Sequence, residues 1–291
     1  METREVLKKV RQVEIKTRGI VEEIFSGEYH SVFKGRGIEF AEVREYMPGD
    51  DIRSVDWNVT ARMGHPYIKL FEEERELTVM LLCDFSSSGY FGSVKQLKIE
   101  VAIEVAALLA FSALKNQDKV GLLLFTDSIE KYVPPKKGKT HVLRILRELI
   151  SFQPERAGTD IRQALEYFQR VQSKRSIAFL ISDFWDEGFE DDLRLVGKKH
   201  DLIALSLRDP REETIPPVGL LKLQDAETGE ELWLDTYDRK VSSGIETIIK
   251  DKKRELNKLL RSSDIDHVEL PVNQDYILPL SRFFRLRAKR R

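Results

Sequence analysis

Thr78-Val-Met-Leu-Leu-Cys-Asp-Phe-Ser-Ser-Ser-Gly89 decides how this chain is read. An apolar run from Val79 to Cys83 ends abruptly at Asp84, and three serines and a glycine follow. Such a run carries a strand through a core. The polar cluster marks where the chain emerges. Asp84, Ser86 and Ser88 stand at alternate positions, D-x-S-x-S. Oxygen ligands so spaced in a tight loop can converge on one point, and hard cations such as Mg²⁺ take oxygen ligands and keep some of their water. The same residues can also close a strand with a simple Ser/Asp turn.

Outward from this stretch, apolar strands alternate with helices. A helix over 94–115 carries Ile99, Ala102, Ile103, Ala106, Leu109 and Ala113 on one broad face. Its alanines suit close packing on a sheet. Lys119–Phe125 reads as a second buried strand, with a short outer strand at Glu130–Val133. Helices are predicted over 140–151, 161–172 and 190–199, with strands at Ser176–Ile181 and Asp201–Leu207 between and after them. Continuously apolar strands alternating with helices predict a parallel sheet covered on both faces. The fold class expected is therefore α/β, a doubly wound, mostly parallel sheet.

The flanks differ. Residues 5–25 show helical spacing through Val6, Val10, Val13, Ile20, Val21 and Ile24, and Gly27 closes that helix. Residues 28–77 bring glycines, aromatics and Pro48, with short strands predicted at 29–33, 38–46 and 67–75. Segment 1–77 is read as an N-terminal helix plus a β-rich subdomain, 78–210 as the α/β domain, and 211–291 as a C-terminal extension. That extension contains a hairpin with its tip at Glu227-Thr-Gly-Glu230, a charged helix over 240–262, a strand at His267–Val272 and an amphipathic basic end.

Composition narrows the function. The 291 residues are 41% hydrophobic and 33% charged, as in ordinary globular proteins. A net charge of −1 gives no general attraction to nucleic acid or anionic membrane. The single cysteine, Cys83, rules out an internal disulfide framework and a cysteine metal site, and reads as a buried small hydrophobe. Met1-Glu-Thr-Arg-Glu lacks the apolar core of a signal peptide, and no apolar stretch is long enough for a membrane span. A cytoplasmic location is the expectation.

In an open α/β sheet, ligands bind beyond the carboxyl ends of the strands. Three polar clusters fall there: Asp84-Phe-Ser86-Ser-Ser88, Gly158-Thr159-Asp160 and Ser182-Asp183. Together they offer Asp84, Ser86, Ser88, Thr159 and Asp183. Hydroxyls and carboxylates without imidazole or thiolate suit Mg²⁺, Mn²⁺ or Ca²⁺ and not Zn²⁺.

These three clusters resemble the metal-ion-dependent adhesion site of von Willebrand factor A domains, over about residues 76–210. The stretch Glu45-Tyr-Met-Pro-Gly-Asp-Asp-Ile-Arg-Ser-Val-Asp-Trp-Asn-Val-Thr-Ala-Arg62 resembles the signature of domain-of-unknown-function family 58. The resemblance implies a von Willebrand factor A-like domain whose ion is surrounded by Asp84, Ser86, Ser88, Thr159 and Asp183. It also implies a MoxR-type AAA+ ATPase as partner, and an acidic residue of a partner protein completing the ion's shell. Ser87 is expected to point away by alternation. Phe184 and Trp185 either rim the site or pack its loop, and Asp160 serves either the ion or its own helix. Around Trp57, Asp50, Asp51, Arg53, Asp56 and Arg62 read either as charges satisfying one another with Trp57 covering the core, or as a recognition surface.

Other chemistries fail on spacing. After Gly35-Arg-Gly37 the position for the third glycine is Phe40, which breaks the dinucleotide fingerprint. Gly138-Lys139-Thr140 has Val133 where a P-loop needs its first glycine. There is no G-x-S-x-G elbow, and the five histidines are scattered. The function expected is a metal-dependent protein-binding module, an adaptor or scaffold and not an enzyme. The alternatives are a metal-assisted phosphoester hydrolase or a metal-free scaffold.

Overall fold

The computed structural model describes residues 3–21, 39–72, 77–92, 96–213, 217–227 and 229–290. The apolar run becomes strand β3 (Thr78–Asp84), buried from Val79 onward. Strand β1 (Glu39–Glu45) and strand β2 (Tyr67–Glu72) precede it. On one side β3 pairs in parallel with β4 (Lys119–Phe125), Leu82 opposite Leu123. On the other it pairs in parallel with β6 (Ile177–Ser182), Leu82 opposite Leu180. Beyond β6 lie β7 (Asp201–Arg208) and β10 (Asp266–Pro271), both parallel. Beyond β4 lies β5 (Ile129–Lys136), antiparallel and on the edge. The sheet order is β10-β7-β6-β3-β4-β5.

That order follows from burial. The chain winds outward from β3 through β4 to β5, then crosses back to β6 and winds the other way. Both faces are thereby covered, which continuously apolar strands require. The reversal between β3 and β6 is the topological switch point, where open α/β sheets place their ligands.

The helices, in chain order, begin with α1 (Thr3–Ile20), α2 (Trp57–Met63) and α3 (Lys98–Lys115). Then come α4 (Lys139–Ser151), α5 (Ile161–Val171), α6 (Glu190–Lys199) and the single turn α7 (Pro210–Glu213). The last two are α8 (Arg239–Ser262) and α9 (Ile277–Arg290). Helix α3 lies on β3 and β4 through buried alanines and leucines, with α1 and α4 packed beside it. The other face forms one core in which Met80 and Leu82 of β3 meet Leu165 and Phe168 of α5, Leu193 of α6 and Leu256 of α8. Between β7 and α8 runs the exposed hairpin of β8 (Leu220–Gln224) and β9 (Glu231–Asp235), with Leu221 opposite Leu234.

Two compact units emerge, Phe33–Leu77 and the remainder, Met1–Val32 with Thr78–Arg291. The division differs from the three segments read from the sequence. Helix α1 packs on α3 and α4 of the larger unit. The C-terminal segment is part of that unit too, because β10 completes the sheet. Arg287 of α9 fastens it, donating to Asp266 Oδ2 at 2.7 Å and to Asp201.

In the smaller unit, β1 and β2 form an antiparallel ladder. Arg44 places its two guanidinium nitrogens on Asp50 at 2.9 and 2.7 Å. Asp51 caps a 3₁₀ turn through Arg53 N, and Asp56 caps α2 through Asn58 N and Val59 N. These acidic groups thus have local partners. Trp57, however, is 68% exposed, so it does not cover the core, and Ile52, Met47 and Met63 are exposed as well. As the first residue of a short capped helix, Trp57 is carried on an outer face. The predicted strand at 29–33 and the closing residues of the first helix lie outside the described residues.

Candidate functional site

Asp84 ends β3 at the switch point and is almost wholly buried. The Ser86 amide donates to its Oδ1 at 2.9 Å, and the Ser182 hydroxyl, at the end of β6, donates to its Oδ2 at 2.6 Å. The loop that follows Asp84 and the neighbouring strand β6 thus fix one carboxylate oxygen each. Ser86 then starts a 3₁₀ turn, Ser87–Tyr90, which brings the Ser86 and Ser88 hydroxyls to 3.1 Å. Because this segment is a turn and not extended strand, alternation does not govern Ser87. Its amide donates to Ala157 O at 2.8 Å, tying the serine loop to the loop that carries Thr159.

That second loop is held from two sides. The Asp160 amide donates to Thr126 O at 3.0 Å, and the Asp160 carboxylate caps α5 on Gln163 N at 2.7 Å. Asp160 therefore serves its helix, one of the two roles left open for it. Asp186 accepts from Ile161 N at 2.7 Å, so the loop after β6 also steadies the start of α5. Phe184 is buried in the core beside Phe189, at a ring distance of 6.2 Å, and so packs the loop. Trp185 lies under the Lys252 ammonium at 5.5 Å.

Asp183 is buried, and its Oδ2 accepts from Lys98 Nζ at 2.8 Å. Lys98 opens α3 with no exposed surface and also pairs with Glu212 of α7. Burial works against its charge, yet Asp183 and Glu212 outweigh that and raise the ammonium pKa above its ordinary value. The sequence reading missed this residue. The available signal was its position, since Lys98 falls in helical phase with Ala102, Val105 and Leu109, on an otherwise apolar face.

Thr159 donates from Oγ1 to Glu227 Oε1 at 2.6 Å, and Glu227 belongs to the tip of the β8–β9 hairpin. Nothing local in the sequence marks Glu227, because its partner lies 68 residues away. Hydrogen bonds and charge link the predicted residues at this edge of the sheet. Asp84 feels the charge of Asp183, Glu227 feels the charge of Asp183, and Thr159 is bonded to Glu227.

The electrostatics follow from burial. Desolvation and Asp183 push the Asp84 carboxyl up to about 7, against the stabilising bonds from Ser182 and Ser86. Burial likewise raises Glu227 and Glu212 above the usual carboxylate range. Asp183 and Glu212 share the Lys98 ammonium, while Asp84 and Glu227 each feel the further negative charge of Asp183. Such a buried excess of negative charge is relieved by a proton or by a further cation. Carboxylates with convergent hydroxyls form the donor set of Mg²⁺, Mn²⁺ or Ca²⁺. Among the described residues, no group of three or more His, Cys, Asp or Glu side chains is arranged to hold a metal.

There is one further polar relay. Ser206 Oγ meets His267 Nε2 at 2.6 Å, and His267 Nδ1 meets Asn257 Oδ1 at 3.0 Å. Its connectivity is that of a hydroxyl nucleophile, a base and an orienting group. Ser206, however, has no exposed surface, and the half-buried His267 and Asn257 tie β10 and α8 to it.

Among known proteins, the profile described as "Protein of unknown function DUF58" matches residues 42–255. An uncharacterised protein of Mycobacterium tuberculosis is 32% identical over 223 residues, covering 76% of this chain and 70% of the relative. The crystal structure of the conserved hypothetical protein BatB from Bacteroides thetaiotaomicron aligns with a TM-score of 0.50 at 17% identity, over 73% of this chain and 99% of that one. An aerotolerance-related membrane protein from Bacteroides fragilis gives the same TM-score at 16% identity, over 74% and 100%. At these identities the structural likeness concerns the fold alone. The expected α/β architecture, a doubly wound and mostly parallel sheet, is the one present, with six strands. The chain belongs to the DUF58 family.

Proposed function

We propose that this chain is a metal-dependent protein-binding module, an adaptor or scaffold and not an enzyme. What supports the reading is a network at the switch point: Asp84 is held by Ser86 and Ser182, the Ser86 and Ser88 hydroxyls meet, Asp84 feels the charge of Asp183, and Thr159 is bonded to Glu227, which feels Asp183 as well. These five residues would hold Mg²⁺, or Mn²⁺ or Ca²⁺, some through water. When bound, the ion supplies an electrophilic position able to take a carboxylate. Ser182 and the Ser86 amide orient Asp84, while Lys98 offsets part of the charge of Asp183. The incoming group would be an acidic residue of a partner protein. The resemblance adds a MoxR-type AAA+ ATPase as the associated machine and the cytoplasm as the location. Against hydrolysis, both Asp84 oxygens are engaged and the Ser206 hydroxyl has no exposed surface.

Calorimetric titration with Mg²⁺ tests the reading. Binding is expected in the parent protein and is expected to be lost in Ser86→Ala and in Thr159→Ala. Unchanged binding in both variants would overturn the site. Association with a MoxR-type ATPase is expected to weaken on chelation.

A further inference from the structure

The β8–β9 hairpin is a poor structure to stand alone. It has two strands, most of its residues are exposed, and an isolated hairpin of this kind is marginal in water. Its base is tied by Thr236, whose hydroxyl accepts from the Val218 and Gly219 amides at 2.8 Å. Its tip is shaped from within. Asp225 N donates to Glu230 O at 2.8 Å, Gly229 N donates to Asp225 O at 2.9 Å, and the Glu227 amide donates to Asp225 Oδ1 at 2.8 Å. Gly229 takes a φ of +75°, which a side chain would resist. This turn turns Glu227 inward, half-buried, while Glu230 stays exposed.

Glu227 then lands on Thr159, one of the five residues of the proposed ion site. A carboxylate is the group such a site is built to receive, and here the same chain delivers one. We infer that the β8–β9 hairpin is an internal ligand of the site, with Glu227 standing where a partner's carboxylate would bind. The inference rests on the metal-dependent reading proposed above and adds its regulation. A partner must displace the hairpin tip before its own acidic residue can enter. Because Glu227 is tethered, its effective concentration is of millimolar order, and it disfavours weak competitors without new contacts. The exposed hairpin strands leave the displaced tip free to move without dismantling the core.

The test compares the parent chain with Glu227→Gln, using Glu230→Gln at the same turn as a control. Mg²⁺ alone is titrated by calorimetry. The single carboxylate of N-acetyl-glutamate amide is then titrated in saturating Mg²⁺, and hydrogen exchange is followed across residues 217–236. The expected result is Mg²⁺ binding in all three proteins and carboxylate binding at least about tenfold tighter in Glu227→Gln than in the parent. Hairpin exchange is expected to be several-fold faster in that variant only. Mg²⁺ binding in all three with equal carboxylate affinity and equal hairpin exchange would overturn the internal ligand and leave the metal site standing. No Mg²⁺ binding in any of them would overturn the metal reading and the inference with it.

Discussion

Replacing Lys98 by methionine removes the ammonium paired with Asp183 and Glu212 while keeping a side chain of similar length. Lys98 is fully buried, and its Nζ lies 2.8 Å from Asp183 Oδ2 and also on Glu212. Breaking a buried ion pair from one side strands the other charge, at a cost of about 3–5 kcal/mol. At about 2–4 °C per kcal/mol for a chain of this size, the melting temperature in chelator should fall by roughly 6–20 °C. A double-mutant cycle with Asp183→Asn isolates the pair, and a coupling of about 1–3 kcal/mol is expected. The cation effect runs the other way. With its internal competitor gone, the site should bind Mg²⁺ more tightly, and saturation at about a hundred times Kd should return about 2.7 kcal/mol. Urea unfolding with and without Mg²⁺ reads all of these quantities. Lys98→Met stability within about 1 kcal/mol of the parent in chelator, with a coupling near zero, would refute the reasoning.

Acid should weaken the fold through two imidazoles. Burial pushes both His200 and His267 down to about 4, so the folded state holds them neutral while the unfolded chain protonates near the ordinary 6.5. The stabilisation is complete above pH 6.5 and is lost as pH falls towards 4, by no more than about 1.4 kcal/mol per pH unit for each histidine. His267→Gln should flatten that slope in urea titrations at pH 7.5 and pH 5, and an unchanged slope would count against it. Gly121→Ala should destabilise by about 1–3 kcal/mol, because its Cβ would meet Met80 Sδ at 2.5 Å and Pro135 N at 3.1 Å in a packed core. A neutral result by thermal melting would mean that β4 can shift. Arg287→Leu should loosen α9 from β7 and β10 by about 1–3 kcal/mol, read as faster hydrogen exchange over Asp266–Pro271.

Two readings changed for physical reasons. Of the two readings of the segment around Trp57, local satisfaction of the carboxylates holds but cover of the core does not, because the first residue of the helix capped by Asp56 carries its ring outward. The division of the chain also changed, because an apolar strand such as Val268–Leu270 joins whichever sheet edge is open, and β7 offered one.

Much was determined by sequence alone. The apolar runs at Val79–Cys83, Lys119–Phe125 and Ile177–Ile181, alternating with helical patterns, point to buried parallel strands, and polar residues at their ends then fall along one edge of the sheet. That logic reached Asp84, Ser86, Ser88, Thr159 and Asp183, because each stands next to the element that positions it. Lys98, Ser182 as the orienting group, Glu212 and Glu227 were decided only by the tertiary structure. Their roles depend on which strand becomes neighbour to β3 and on where a hairpin far along the chain comes to rest. No local pattern records such long-range pairings. They arise when the sheet closes and each buried charge must find its partner.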